Sequence, residues 1–256
     1  MLHLAVAGKG GTGKSVIAGT VARLLARRGW PVLALDSDLM PGLALSLGLP
    51  AQRDAAMLVD AVERDETGRW RLKKGIGPAR AVARYSVEAP DGVRLLQAGK
   101  VGSAGLAPIL GSINGFYAIV HRLRRARAFA GWAIVGDLPA GPRQVAFDWA
   151  PYAQLLLVIV EPSPQSLATA RRIAGIARAR NQHVLPVANK VEDARDAARL
   201  ARAFPTVLAA AVPNDEAIAQ AERLGAALLD HAPEAPAARE LERLVSMLAR
   251  EYASPQ

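Results

Sequence analysis

The chain has 256 residues, of which 51% are hydrophobic, so it is long enough and apolar enough to fold around a well-buried core. It contains no cysteine, which excludes disulfides and thiolate metal sites and fits a reducing compartment. The 32 Lys and Arg residues outnumber the 23 Asp and Glu residues, and the net charge of +9 suits an acidic protein, nucleic acid or anionic lipid as partner. The alternative is that the arginines are ordinary exposed, hydrated residues and that the positive charge indicates no partner.

No stretch of the sequence predicts a membrane span or a removable leader. The first apolar run, residues 2–7, leads directly into a glycine-rich segment, and no apolar run approaches the roughly 20 residues that cross a bilayer. No internal repeat and no second hydrophobic unit is apparent. We therefore expect one domain over residues 1–256 and a cytoplasmic location.

The glycine-rich segment reads Gly-Lys-Gly-Gly-Thr-Gly-Lys-Ser over residues 8–15 and matches the phosphate-binding loop pattern G-x-x-x-x-G-K-[ST]. A strand-like run precedes it and a helical pattern follows it, which is the context that such a loop requires. Glycines let backbone N–H groups point at phosphate oxygens, and the helix N-terminus adds its positive dipole end. Lys14 is predicted to reach the β- and γ-phosphates, and the Ser15 hydroxyl to bind Mg²⁺. The predicted nucleotide-binding residues of this loop are Gly8, Lys9, Gly10, Gly11, Thr12, Gly13, Lys14, Ser15 and Val16.

Apolar runs alternate with helical patterns along the rest of the chain. Strands are predicted near residues 2–7, 31–35, 93–98, 132–136, 155–160, 184–188 and 206–212. Helices are predicted near residues 16–28, 54–63, 113–130, 166–180, 216–229 and 236–252. This alternation predicts an α/β fold with a doubly wound, mostly parallel sheet of about seven strands and helices on both faces. Residues 64–92 are expected to form an irregular surface excursion, and residues 99–115 carry no clear pattern.

Acidic residues follow two of the predicted strands. Asp36 and Asp38 end the second strand, and Asp137 ends the fourth, just before the sequence Leu-Pro-Ala-Gly141. Ligands bind at the carboxyl ends of strands in doubly wound sheets. We expect Asp36 and Asp137 to hold Mg²⁺ through water together with Ser15, and Asp38 to orient the attacking water. Gly141 can offer a backbone N–H to the γ-phosphate.

Polar residues also follow two later strands. Asn189 and Lys190 end one of them, and Pro213, Asn214 and Asp215 end the next. The asparagine amide carries both the donor and the acceptor that pair with N7 and N6 of adenine. Taken alone, a capping role for Asn189 is about as well supported as a base-reading role.

These motifs resemble the deviant Walker A ATPases of the MinD/ParA/nitrogenase iron protein class, which are SIMIBI-type P-loop NTPases. Lys9, directly after the first glycine of the loop, and the Asp-x-Pro-Ala-Gly string at 137–141 carry the resemblance. It implies ATP and Mg²⁺ as ligands and a homodimer that forms on ATP binding, in which Lys9 reaches the partner's phosphates. It also implies that Lys9, Lys14 and Asp38 are catalytic, and that residues 189–190 and 213–215 lie at the adenine.

Within this class, the sequence is most similar to the CooC-like accessory ATPases of carbon monoxide dehydrogenase. The strings that carry this similarity are residues 8–15, 96–100, 160–163, 189–191 and 213–216. That group has a Cys-x-Cys metal site in the region matching residues 102–115, which has no thiolate here, and the 4 histidines of the chain lack ligand spacing. The resemblance therefore implies the ATPase machinery but not the handling of nickel.

Two functions remain open from the sequence. One is an ATP-driven switch that remodels or matures a partner protein, with an acidic protein or a metalloenzyme as the candidate partner. The other is a positioning or partition ATPase of ParA/MinD type, whose dimer binds nonspecific DNA through arginines near residues 122–127 and 171–180. An inert scaffold is disfavoured because Lys14, Ser15 and the acidic residues are all present.

Overall fold

A computed structural model describes residues 1–39, 42–50, 57–99 and 106–252. The strands are β1 (His3–Gly8), β2 (Val32–Asp36), β3 (Val62–Arg64), β4 (Trp70–Leu72), β5 (Val87–Glu88), β6 (Arg94–Gln97), β7 (Ala133–Asp137), β8 (Leu155–Val160), β9 (His183–Val191) and β10 (Ala210–Pro213). The helices are α1 (Lys14–Arg27), α2 (Leu43–Ser46), α3 (Pro78–Tyr85), α4 (Leu106–Leu123), α5 (Arg143–Ala146), α6 (Pro164–Ala179), α7 (Ala194–Ala201), α8 (Glu216–Leu224), α9 (Leu228–His231) and α10 (Pro236–Tyr252).

Eight strands form one sheet in the order β10-β9-β8-β1-β7-β2-β6-β5. Every pairing in it is parallel except that of the edge strand β5, which runs antiparallel to β6. Strand β8 is buried along its whole length, as expected for a parallel strand covered on both faces. Leu4 and Val6 of β1 pack with α1 and α10 on one face, while Ala5 and Ala7 pack with α4 and α6 on the other. This architecture confirms the predicted doubly wound α/β class.

Residues 57–99 depart from the sequence-based prediction. Residues 64–92 are not irregular, because they contain the rest of the β3–β4 hairpin, helix α3 and strand β5, so the main sheet has eight strands rather than seven. In place of the helix predicted over 54–63, the described part has a short 3-10 helix at Met57–Ala61, followed by β3, and residues 54–56 lie outside the described residues. These strands have three residues or fewer, which is too short for an alternating pattern to appear.

Helix α4 begins and ends before the helix predicted over residues 113–130, and residues 100–105 lie outside the described part of the chain. Two glycines obscure this helix in the sequence. A Cβ at Gly111 would lie 3.0 Å from Val59 Cγ2, and one at Gly115 would lie 3.1 Å from the Leu58 carbonyl oxygen. The glycines therefore let the 3-10 helix pack closely against α4, and they do not interrupt it.

The C-terminal region follows the prediction more closely. Helix α10 has the predicted bounds. The single helix predicted over 216–229 is instead the pair α8 and α9, separated at Gly225, whose φ of +64° ends α8. Strand β10 begins at Ala210 and not at residue 206, and Val207, expected within it, is exposed. No helix in the described part of the chain has the length and apolar character needed to cross a bilayer.

A buried arginine joins α1 to two other segments. Arg23 is 2% exposed and donates from Nη1 and Nη2 to the two carboxylate oxygens of Asp230, at 2.7 Å each. Its Nε donates to Asp91 Oδ2 at 2.6 Å, and Arg27 lies 3.1 Å from the same oxygen. The cation therefore ties α1 to α9 and to the turn before β6, and breaking such a pair leaves an uncompensated charge.

We expect Arg23→Met to lower the free energy of unfolding by about 2 kcal/mol, because Asp230 loses both hydrogen bonds while the volume of the side chain is kept. Arg250→Ala, at an exposed position of α10, is the control and should change it by less than about 0.5 kcal/mol. Urea denaturation followed by circular dichroism measures both values. Equal stability of the two variants would contradict this role for Arg23.

Candidate functional site

The carboxyl ends of β1, β2, β7, β8 and β9 meet at one edge of the sheet, where the sequence predicts the site. The glycine-rich loop leaves β1 at Gly8 and enters α1 at Lys14. Gly11 and Gly13 have φ of +79° and +84°, in the left-handed region that favours glycine. The loop therefore has the strand–loop–helix context that a phosphate-binding loop requires.

The loop is held closed by contacts to its own backbone. The Lys9 carbonyl accepts hydrogen bonds from Thr12 Oγ1 at 2.8 Å and from Lys14 Nζ at 3.3 Å. A Cβ at Gly8 would lie 2.7 Å from the Ile159 carbonyl oxygen, and one at Gly13 would lie 2.4 Å from Asn189 Nδ2. Glycine is thus required at these two positions by the neighbouring strands as well as by the turn.

Three predicted magnesium residues lie together beside the loop. Ser15 Oγ donates to Asp137 Oδ2 at 2.5 Å. Asp36 and Asp137 are buried, at 0% and 1% exposure, and in the described part of the chain neither Asp36 Oδ2 nor Asp137 Oδ1 has a hydrogen-bond partner. Unpaired buried carboxylate oxygens suit a hydrated divalent cation. The described residues include no group of three His, Cys, Asp or Glu side chains able to hold a metal directly.

Burial raises the pKa values of Asp36 and Asp137. It raises the pKa of Asp137 to about 6, a rise that Ser15 and Lys14 oppose and the charge of Asp38 assists. It also raises the pKa of Asp36 well above its usual range, and the negative charge of Asp137 raises it further. Two adjacent buried carboxylates favour a bound cation, because the cation compensates the charge that burial disfavours.

The residues after β2 are fastened to β7. Ser37 Oγ donates to the Asp137 carbonyl oxygen at 2.8 Å, and the Asp38 backbone N–H donates to Asp36 Oδ1 at 3.1 Å. Burial raises the pKa of the Tyr117 hydroxyl on α4, a rise that Ser37 opposes, and the Tyr117 ring lies 5.1 Å from that of Trp149. Sequence analysis missed Tyr117, because α4 was obscured by its glycines and no motif marks the position.

Gly141 lies close to the loop, but its N–H is engaged. It has a φ of +92°, and its backbone N–H donates to the Gly8 carbonyl at 2.9 Å. Donation to a γ-phosphate, as the sequence analysis expects, therefore requires this hydrogen bond to break. The contact joins the segment after β7 to the start of the phosphate-binding loop.

A cavity of about 680 Å³ opens beside the loop, a size typical of sites for small ligands. The loop forms one wall, and the segments after β9 and β10 with helices α8 and α9 form the other. The predicted site residues that line it are Gly11, Gly13, Ser15, Val16, Asn189, Lys190, Pro213, Asn214 and Asp215. The structure thus brings members of both predicted groups to one cavity, whereas Gly8, Lys9, Gly10, Thr12, Lys14 and Gly141 are not among its lining residues.

Asn189 is buried at 4% exposure under the loop. Its Nδ2 donates to the Thr12 carbonyl oxygen at 2.7 Å, and its Oδ1 has no hydrogen-bond partner in the described residues. A carbonyl can only accept, so the amide nitrogen faces Thr12, and the buried amide oxygen is left as an acceptor without a partner among the described residues.

The residues after β10 have structural contacts that the sequence analysis did not anticipate. Asp215 Oδ1 accepts from the Ala217 backbone N–H at the start of α8, and its Oδ2 accepts from the Ala237 N–H at the start of α10. Asn214 Nδ2 donates to Glu192 Oε1 at 2.6 Å. Asp215 therefore fixes the cavity wall by capping two helices at once.

Lys9 and Lys190 share a carboxylate that the sequence analysis overlooked. Lys9 Nζ lies 3.6 Å from Glu161 Oε1, and Lys190 Nζ lies 3.6 Å from Glu161 Oε2. Lys190, with a φ of +56°, also donates to the Gly11 carbonyl at 2.7 Å. Glu161 directly follows β8, so the rule that singled out Asp36 and Asp137, an acidic residue at a strand end, could have found it.

The fold and the loop–carboxylate edge define a nucleotide-binding protein of the P-loop class. Residues 4–233 match the family model described as the CobQ/CobB/MinD/ParA nucleotide binding domain, and the chain belongs to this family.

A named relative and two solved structures are similar over nearly the whole chain. The carbon monoxide dehydrogenase accessory protein CooC of Rhodospirillum rubrum is 31% identical over 246 residues, covering 91% of each chain. The cell division ATPase MinD of Pyrococcus furiosus has a TM-score of 0.74 at 22% identity, covering 98% of this chain and 99% of the other. The septum site-determining protein MinD of Pyrococcus horikoshii, complexed with Mg-ADP, has a TM-score of 0.69 at 18% identity, covering 98% and 96%. The two structures share the fold.

Proposed function

We propose that this chain is a Mg²⁺-dependent ATPase that dimerises on binding ATP and assists the maturation or remodelling of a partner protein. The observation that carries this proposal is the position of Ser15, which lines the cavity and also donates to Asp137, beside carboxylate oxygens of Asp36 and Asp137 that have no hydrogen-bond partner in the described residues. The reaction is hydrolysis of ATP to ADP and phosphate. The similarity to an accessory protein supports a role in serving another enzyme.

The residues divide the chemistry between them. Lys14 and the loop N–H groups bind the β- and γ-phosphates, and Ser15 with Asp36 and Asp137 holds hydrated Mg²⁺. Mg²⁺ held there would supply positive charge against those phosphates. Asp38, half-buried beside Asp36, orients the attacking water.

Asn189 supports adenine as the preferred base. Its Oδ1 has no hydrogen-bond partner in the described residues, so it is suited to accept from the 6-amino group of adenine, whereas the 6-carbonyl of guanine is also an acceptor. Pro213, Asn214 and Lys190 line the same cavity and complete the base side of the site. We therefore assign ATP as the nucleotide.

We expect ATP to bind at least about tenfold more tightly than GTP, because mismatched acceptors leave polar groups unpaired. Asn189→Ala should reduce this preference, and Lys14→Ala should weaken binding of both nucleotides by removing a charge-assisted contact. Asn114→Ala, at an exposed position of α4, is the control. Calorimetry measures each affinity, and equal affinity of the unaltered protein for ATP and GTP would count against the role of Asn189.

Dimerisation should depend on Lys9. Lys14 already serves the phosphates of its own subunit, and two facing triphosphates repel unless cations lie between them. Lys9 is 34% exposed at the same edge of the sheet, so its ammonium is available to a partner.

We expect Asp38→Ala to bind ATP without hydrolysing it and to accumulate as a dimer. Adding Lys9→Ala should return the protein to a monomer, because the charge supplied across the interface is lost. Sedimentation with ATP, with ADP and without nucleotide measures the state. A dimer that forms equally well without nucleotide would contradict the proposal that ATP binding controls dimerisation.

The client that best fits the surface is an acidic protein, since the chain carries a net charge of +9. The name of the relative makes a metalloenzyme a reasonable candidate. This chain has no cysteine, so we do not extend the proposal to binding of a metal cargo through thiolates.

A second candidate function is ATP-dependent binding of nonspecific DNA, as in a positioning ATPase. The observation in its favour is a cleft of about 510 Å³ at the amino end of β8, lined by both Arg124 and Arg180. It brings together arginines from the two basic segments near residues 122–127 and 171–180. Arg180 is already paired with Asp148 at 3.1 Å, so the protein client remains the preferred proposal.

If DNA is the partner, the Asp38→Ala protein with ATP should bind a random duplex with an affinity that falls steeply with salt, because phosphate contacts release counterions. The double change Arg124→Ala with Arg180→Ala should weaken this binding. Arg223→Ala, on the exposed side of α8, serves as the control. Fluorescence anisotropy at two salt concentrations gives the result, and no binding at low salt removes this candidate.

A further inference from the structure

Glu161 is a charged residue at the site that the proposed function leaves without a role. The sheet order β9-β8-β1 places it, at the end of β8, between Lys190 of β9 and Lys9 after β1. The carboxylate is 17% exposed and lies 3.6 Å from each ammonium, one on each oxygen. The two lysines and this carboxylate form a row across the mouth of the phosphate-binding loop.

The orientation of Glu161 is fixed from the side of α6. Its backbone N–H donates to Ser166 Oγ at 3.0 Å, and Ser166 is completely buried. Ser163 Oγ, at the N-cap of α6, donates to Glu161 Oε1 at 3.3 Å. The carboxylate is therefore held toward the loop by the start of the helix that follows it.

Lys190 is anchored independently of Lys9. Its ammonium donates to the Gly11 carbonyl oxygen at 2.7 Å, and its backbone adopts a left-handed conformation that is uncommon for lysine. If Lys9 leaves Glu161, the carboxylate keeps Lys190 as a partner, so no unpaired negative charge remains. Breaking the ion pair between Lys9 and Glu161 therefore costs little free energy.

We propose that Glu161 is a positioning residue that retains the Lys9 ammonium on its own subunit until ATP on a partner subunit competes for it. This inference rests on the proposed function, in which Lys9 reaches the phosphates of the partner. A triphosphate carries more negative charge than a diphosphate or a carboxylate, so ATP displaces Glu161 more effectively than ADP does. Glu161 thereby helps to make dimerisation selective for ATP.

The test is Glu161→Gln in the Asp38→Ala background, which blocks hydrolysis. Glutamine keeps the size of the side chain and can still accept from Ser163, but it no longer attracts Lys9. We expect the dimer dissociation constant with ATP to fall by about three- to tenfold, in line with the loss of a partly exposed ion pair. Dimerisation with ADP should also increase, which reduces the discrimination between the two nucleotides.

Two controls separate this role from a general effect of charge or packing. Glu234→Gln removes the same charge from an exposed pair with Arg239 at a distant position and should leave the dissociation constant unchanged. Adding Lys9→Ala should abolish the gain produced by Glu161→Gln.

Sedimentation equilibrium of these variants distinguishes the possible failures. If the Asp38→Ala parent dimerises with ATP and Glu161→Gln leaves its dissociation constant unchanged, the role of Glu161 is overturned and the proposed switch stands. If the gain persists without Lys9, the carboxylate does not act through Lys9, and the inference is also overturned. If the parent stays monomeric with ATP, the switch fails and the role of Glu161 fails with it.

Discussion

The parallel register of β1 between β7 and β8 is the constraint on which the site depends. Val6 pairs with Asp137 on one side and Gly8 pairs with Ile159 on the other. This register brings the Asp137 carboxylate to the start of α1, where Ser15 binds it, and it presses the loop against β8 so that only glycine fits at residue 8. A slip of one residue would turn each side chain to the opposite face and separate the loop from its carboxylates.

The same edge concentrates charge that the folded chain compensates only in part. Asp36 and Asp137 are buried, and each has one oxygen without a hydrogen-bond partner among the described residues, which costs stability unless a cation is bound nearby. Arg23, by contrast, is buried with both of its carboxylate partners hydrogen-bonded to it. The incompletely paired carboxylates suit a ligand site, whereas the fully paired arginine suits a structural contact between segments. Under the proposed function, Mg²⁺ bound with nucleotide would stabilise the folded state by compensating the charge of these two carboxylates.

The elements with strong local signals could be predicted from the sequence. Strand β8 is a continuous apolar run, α10 has a regular apolar stripe, and the loop over residues 8–15 has a motif with a strand before it and a helix after it. Elements defined by tertiary contacts could not be predicted. The β3–β4 hairpin is held by packing on α4 and by Arg64 stacked over Trp70 at 4.7 Å, which no short pattern reveals.

The candidate site also has features that the sequence predicts and features that it does not. The sequence predicts which residues end the strands, because an acidic or amide residue after an apolar run is visible without a structure. It does not predict what each side chain contacts there, since that depends on the order of strands. Asp215 ends a strand as expected, yet both of its oxygens cap helices. Glu161 becomes significant only when the order β9-β8-β1 sets it between two lysines that are 181 positions apart in the chain, from Lys9 to Lys190.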